Sequence, residues 1–242
     1  MKSLVLGLRA LLFYLGYVPL IGWFGGTGLL FFYFLPYPIR SAYILTWNRC
    51  AVHWLKWTCG VKFQVIGAEN LPAAPYVALC KHKSQWETYF LQYYLRPVSI
   101  ILKRELLRLP FFGWGLLLTK PIAIDRDNPK QALKQTLEQG QARLAENISI
   151  LVFPEGTRKS TARDPKYARG GANIAVASGV PVVPIAHNAG EFWPADKFIK
   201  YPGTITVKIG EPIDSSTNNS REITEMAKQW IETEVAAMEK RC

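Results

Sequence analysis

His82 and Glu87 are the residues of this 242-residue chain whose types and spacing most directly allow chemistry. They lie in the run Y-V-A-L-C-K-H-K-S-Q-W-E-T-Y-F-L-Q-Y-Y, residues 76–94. On one continuous helix this spacing would set them about 140° apart, out of contact. The local sequence puts only Glu87 on a helix. Tyr76–Cys80, after Pro75, reads as a short buried strand. Ser84 followed by Glu87 is the S-x-x-E signature of a helix start. His82 therefore falls on a strand-to-helix turn at the rim of a sheet, where a carboxylate in the first helical turn can reach its ring. A carboxylate on one imidazole nitrogen fixes the tautomer and leaves the other nitrogen free to take a proton. No serine or cysteine nucleophile is evident beside the pair, so such a base would act on a hydroxyl brought by a substrate. The competing reading is structural: Glu87 closes a capping box with Ser84, and His82 is a hydrogen-bonded turn residue.

A second apolar strand, residues 147–153, runs into F-P-E-G-T-R, Phe153–Arg158. His82-x4-acid followed at this distance by F-P-E-G-T-R resembles the glycerolipid acyltransferase family. Its best-known members are the 1-acyl-sn-glycerol-3-phosphate acyltransferases, here of the bacterial type. Ile122-Ala-Ile-Asp-Arg126 resembles the family's second block, and Val180-Pro-Val-Val-Pro-Ile185 its fourth. Two positions depart from the family pattern: Glu87 stands where Asp is usual, and Lys120 where the second block usually opens with Gly. The resemblance implies acyl transfer to the free sn-2 hydroxyl of lysophosphatidic acid, giving phosphatidic acid in phospholipid biosynthesis. The implied donor is acyl-CoA or acyl-carrier protein, used as a co-substrate, with no further cofactor.

The F-P-E-G-T-R turn suits a phosphate monoester. Arg158 can grip phosphate through two parallel hydrogen bonds. Gly156 lets the backbone approach closely, and Thr157 can donate its hydroxyl. Glu155 is unsuited to phosphate and is expected to steady Arg158 or an acceptor hydroxyl. Lys103 and Arg126 are expected to add positive charge. Backbone N–H groups near Ser84–Gln85 are candidates for the oxyanion donors. The structural alternative for the turn is a tight loop with a solvated arginine.

These residues need a scaffold. Strands alternating with helices from residue 61 to 187 indicate an α/β domain with a mixed, largely parallel sheet flanked by helices. The chain divides into residues 1–60, hydrophobic and membrane-associated, and 61–242, the α/β domain. The formal net charge of +11 calls for an anionic partner: lipid, phosphorylated substrate or nucleic acid. Nucleic acid fits poorly, because the cations are split between the apolar segment and one turn, with no recognisable binding motif. Two other functions stay open: an acyltransferase for another lysolipid or hydroxyl lipid, and a non-catalytic binder of anionic membrane or nucleic acid. Four scattered cysteines and three histidines offer no metal-ligand spacing and point to a reduced, cytosol-facing protein. His187, after the strand at 182–186, reads as structural.

Residues 1–60 hold five Lys or Arg and no Asp or Glu, and 10–39 carry no charge. That length could cross a bilayer once. Pro19, Gly22, Gly25, Gly26, Pro36 and Pro38 interrupt it, which favours a re-entrant or interfacial hairpin of shorter helices over a span, and a span over a cleaved signal peptide. The helix expected over 39–58 places Tyr43, Trp47, Ala51 and Trp54 opposite Arg49, His53 and Lys56, a pattern suited to the headgroup level of an anionic membrane. The expected location is the cytoplasmic face of the inner membrane.

Overall fold

The computed structural model describes residues 2–125, 127–158 and 165–239. Among these, seven strands form one sheet: β1 (Val61–Ile66), β2 (Val77–Cys80), β3 (Val98–Lys103), β4 (Ile122–Ile124), β5 (Ser149–Val152), β6 (Val182–His187) and β7 (Gly203–Ile209). Their order is β1-β7-β6-β2-β5-β3-β4. Neighbours run parallel except β6 and β7. β2, β5 and β6 are buried along their whole length. They have helices on both faces, which is why they read as unbroken apolar runs.

One face carries α1 (Lys2–Thr27), α2 (Tyr37–Cys59) and α3 (Trp86–Tyr94), packed with Ala78, Cys80, Leu151 and Ile185 of the central strands. The other carries α5 (Pro129–Ala145), α6 (Gly170–Ser178) and α8 (Ser220–Glu239), against Val77, Leu79, Ile150 and Val152. Asn128 caps α5, its side-chain oxygen accepting from Gln131 N at 3.2 Å. On α8, Ile223, Ala227 and Ile231 point inward, whereas Met226 is exposed. Two short helices complete the chain, α4 (Phe112–Leu117) and α7 (Ala189–Phe192).

The N-terminal segment departs from expectation in two ways. α1 continues unbroken through Pro19, Gly22, Gly25 and Gly26 into a π-helical turn, Gly28–Phe32. The chain reverses only around Pro36, so α1 and α2 form the hairpin. Gly16 and Gly25 are contact points instead of breaks. A Cβ on Gly25 would lie 2.0 Å from the Phe111 carbonyl oxygen, and one on Gly16 would lie 2.4 Å from the Trp54 indole nitrogen. Packing of this closeness offsets the loss of the Pro19 hydrogen bond, which costs a helix interior about 3 kcal/mol. Secondly, the tryptophan face of α2 packs largely on the domain, with Tyr43 and Trp54 half-buried. Trp47 and Ala51 are buried, with the Trp47 ring 4.8 Å from that of Tyr89 on α3. Aromatic burial outweighs interfacial placement there because α3 supplies rings to pack on.

A continuous exposed apolar surface lies on α1. Leu4, Leu8, Leu11, Leu15 and Val18 form a stripe at helical spacing, and Leu30, Phe31 and Phe34 extend it to the hairpin tip. By length and composition, Ser3–Phe32 could cross a membrane. α1 is tied to the domain by Lys200, whose buried ammonium donates to Tyr14 Oη at 2.5 Å and to the Phe198 carbonyl at 2.7 Å. Burial pushes that lysine down to about 8.

The glycine contacts give a paired test. Gly25→Ala must displace the Phe111 backbone and is expected to lower the melting temperature clearly. Gly22→Ala meets nothing within 4 Å and is expected to be neutral or to gain up to about 1 kcal/mol from helix propensity. Thermal unfolding of the two variants in the same detergent checks both.

Candidate active site

Strand register assembles the site. β2 lies between β5 and β6, with Leu79 opposite Val152 on one side and Pro184 on the other. Three residues beyond each strand position stand His82, Glu155 and His187. The first meets the second directly: the His82 N–H donates to Glu155 Oε1 at 2.9 Å. This is the carboxyl end of a central strand, where ligands of open α/β sheets bind.

Glu87 sits in the first turn of α3 with no exposed surface. Its Oε1 accepts from His82 Nδ1 at 2.9 Å, Ser84 N at 2.9 Å and Lys83 N at 3.1 Å. Ser84 Oγ accepts from Trp86 N at 3.1 Å and donates to the Trp193 carbonyl at 2.6 Å. The glutamate half of a capping box, Glu87 on the Ser84 N–H, and the histidine–acid pair, competing readings of the sequence, share one oxygen. The longer side chain of Glu87 reaches the ring fully. Burial pushes the Glu87 carboxyl up, but the facing His187 and the bonds from His82 and Ser84 outweigh it and hold the group below the ordinary carboxylate value. With Nδ1–H directed at a carboxylate, His82 keeps its lone pair on Nε2. The ring lies flat on Phe153, centroids 4.1 Å apart, and is 12% exposed.

The F-P-E-G-T-R turn follows β5. Gly156 adopts φ +67°, a left-handed conformation that glycine takes at little cost. Glu155 differs from its expected role. It is buried, and besides the His82 N–H it pairs with Lys81 Nζ at 3.1 Å, so it braces the histidine turn instead of Arg158. Lys81 also reaches Glu232 of α8 at 2.7 Å, and Tyr167 donates to the same oxygen at 2.7 Å. A buried acid gains more from a backbone donor and an ammonium than from an arginine at the rim. The Ser84 N–H, considered for the oxyanion, is already committed to Glu87.

His82, Lys103, Gly156, Thr157 and Arg158 line one cleft of about 630 Å³. Lys103 is half exposed, 3.8 Å from Glu105. Arg126 lies outside the described residues. Arg158 Nε is enclosed and has no hydrogen-bond partner. Arg158 also lines an apolar cavity of about 80 Å³ that runs between α1, α2 and α4, past Phe24, Ile44 and Phe112. Lys120, at the family's glycine position, takes φ +51°, and its carbonyl accepts from Ser99 Oγ at 2.6 Å and Arg143 Nε at 3.0 Å. The bonds hold a conformation that glycine would reach unaided. Glu105, Asp125 and Asp127 bring carboxylate oxygens within 4.8 Å of one another. The sequence reading, which weighed only histidines and cysteines, did not foresee this group; Arg104 pairs with Asp125 at 2.9 Å.

Comparison with known proteins identifies the scaffold. The family described as Acyltransferase matches residues 62–188, just over half the chain. The chain belongs to the acyltransferase family. This acyltransferase is 44% identical to a 1-acyl-sn-glycerol-3-phosphate acyltransferase of Pseudomonas aeruginosa, covering 97% of this chain and 93% of that one. A Chlamydomonas reinhardtii protein of the same name is 31% identical over 76% of this chain and 58% of its own. The crystal structure of the 1-acyl-sn-glycerophosphate acyltransferase PlsC from Thermotoga maritima has the same fold, with a TM-score of 0.80 at 24% identity, over 99% of this chain and 98% of that one. The chain is thus an O-acyltransferase, and the histidine–acid pair and the F-P-E-G-T-R turn both lie within the matched region.

His82→Ala is expected to lower acyl transfer by about 10²–10⁴-fold, the usual worth of a general base. Glu87→Gln keeps an acceptor for the Ser84 and Lys83 N–H groups but removes the charge facing His82, so it should retain helicity and lose a comparable factor. Circular dichroism alongside initial rates checks the pair. Near-parental turnover in Glu87→Gln would reduce the acid to a helix cap.

Proposed function

We propose that this acyltransferase moves a fatty acyl group from a thioester, acyl-CoA or acyl-carrier protein, to the free sn-2 hydroxyl of lysophosphatidic acid. The phosphate binds Arg158, with Thr157 and Lys103 alongside and Arg126 as a further candidate cation. His82 Nε2 takes the hydroxyl proton as that oxygen attacks the thioester carbonyl. Glu87 stabilises the imidazolium that forms. When the tetrahedral intermediate collapses, the carbon–sulfur bond breaks, the thiol leaves with the proton from Nε2, and phosphatidic acid remains. The observation that carries this reading is the orientation of His82: its Nδ1 is spent on Glu87 at 2.9 Å, and its ring lines the cleft that also holds Arg158. The names of the relatives support the same acceptor.

The apolar cavity beside Arg158 would take an acyl chain while the phosphate stays in the polar cleft. α1 would rest its exposed leucine stripe in the cytoplasmic leaflet of the inner membrane, bringing the cleft to its lysolipid. The thioester carrier arrives from the cytosol.

Release of free thiol from acyl-CoA, measured with and without acceptor, tests the proposal. Turnover should require lysophosphatidic acid and be far weaker with monoacylglycerol, which lacks the phosphate. Arg158→Ala should raise KM for lysophosphatidic acid by roughly 10–100-fold, the range for a lost charge-assisted hydrogen bond. Equal rates with both acceptors would move the assignment to another hydroxyl lipid.

A further inference from the structure

The register that sets Glu155 on one side of His82 sets His187 on the other. His187 is fully buried at the end of β6. Its Nδ1 accepts from Ala189 N at 3.1 Å, so Nε2 carries the hydrogen and donates to the Lys81 carbonyl at 2.8 Å. The same Nε2 lies 3.9 Å from Glu87 Oε2. That oxygen is buried and accepts no hydrogen bond, while Oε1 accepts three. The two rings thus stand on opposite sides of one carboxylate, His82 bonded to one oxygen and His187 facing the other.

We propose that His187 is a positioning residue for acyl transfer, holding the Glu87 carboxylate turned toward His82 from behind. This rests on the reading of His82 as the base. Two effects combine. The Lys81 carbonyl is fixed by the imidazole, so the residue before His82 cannot shift. The Nε2–H, donated to Lys81, also keeps its positive end within 3.9 Å of the oxygen that lacks a partner, which favours the ionised carboxylate. The other titratable groups facing this centre are His82 on its own turn, Glu155 from the β5 turn, Cys80 of β2 and Tyr89 of α3. Lys81 gives its ammonium to Glu155 and Glu232. Burial holds His187 below the ordinary histidine value, against the pull of Glu87, so it stays neutral where the enzyme works and adds a dipole instead of a charge.

The consequence is a pH effect with a definite sign. Without the Nε2–H, the carboxylate is more basic and holds the proton on His82 harder. The free base needed for attack is then lost earlier on acidification.

The test is the pH profile of kcat/KM for thiol release with the full chain and lysophosphatidic acid. His187→Asn keeps an acceptor near Ala189 N but is too short to carry a donor to Lys81 and Glu87. It should move the acid limb up by about 0.5–1 pH unit and lower kcat near neutrality by roughly 3–10-fold, with KM for the lysolipid unchanged. His187→Gln, whose amide nitrogen can reach the Nε2 position, should restore both limb and rate. If His187→Asn does not fold, His187→Phe replaces it, with the same expectations. An acid limb that stays in place overturns the proposal, and so does equal loss in the Gln and Asn variants, which would mark a packing role. His82→Ala in the same assay separates the two levels. If it is inactive while the limb stays in place, only the role of His187 fails; if it is active, the base assignment fails too.

Discussion

A carboxylate with no exposed surface, Glu87, is the constraint around which this molecule is arranged. Leaving such a charge without partners would cost several kcal/mol. The turn after β2 supplies them: two backbone N–H groups and one imidazole converge on a single oxygen. The requirement to satisfy the acid therefore fixes the path of residues 82–84 and the direction of the histidine ring together. Helix capping and base orientation are here one interaction seen from two sides. Glu155 and Lys81 repeat the device a strand away, again burying an acid to immobilise the same turn.

Much of the centre was legible in the chain. The apolar run, the S-x-x-E pattern and the second strand before F-P-E-G-T-R placed both turns and the start of α3 correctly, because these signals are local. The pairing of β2 with β5 and β6 was not legible. It brings together residues about 70 and 105 positions apart, and nothing local encodes which strands become neighbours. That gap explains why Glu155, expected to steady Arg158 or an acceptor hydroxyl, turns to the histidine turn instead, and why His187, read as structural, showed no relation to His82. Lys81, between two motif residues, gave no sign that it would be buried against an acid on α8.

The N-terminal region was misread for a different reason. Glycine and proline were weighed by their cost to an isolated helix, which is the only cost a sequence displays. In the folded chain Gly16, Gly25 and Gly28 lie where another element approaches too closely for a side chain, and the contact repays their intrinsic penalty. Likewise the tryptophans of α2 were assigned to a lipid boundary, yet Trp47 found an aromatic neighbour in Tyr89. An amphipathic pattern states that a face will be covered, and it does not name the cover. The exposed stripe on α1 was hidden by the uniform apolarity of that segment, since both of its faces look alike in composition.

Because three adjacent strands reach their ends in step, the centre tolerates change of kind better than change of length. Inserting or deleting one residue in β2, β5 or β6 would exchange the two faces of that strand and carry Glu155 or His187 out of line with His82. The hairpin bend near Pro36 has no such partner to stay level with. Lineages of this enzyme should accordingly record their insertions and deletions at that bend and keep the spacing from strand to motif fixed.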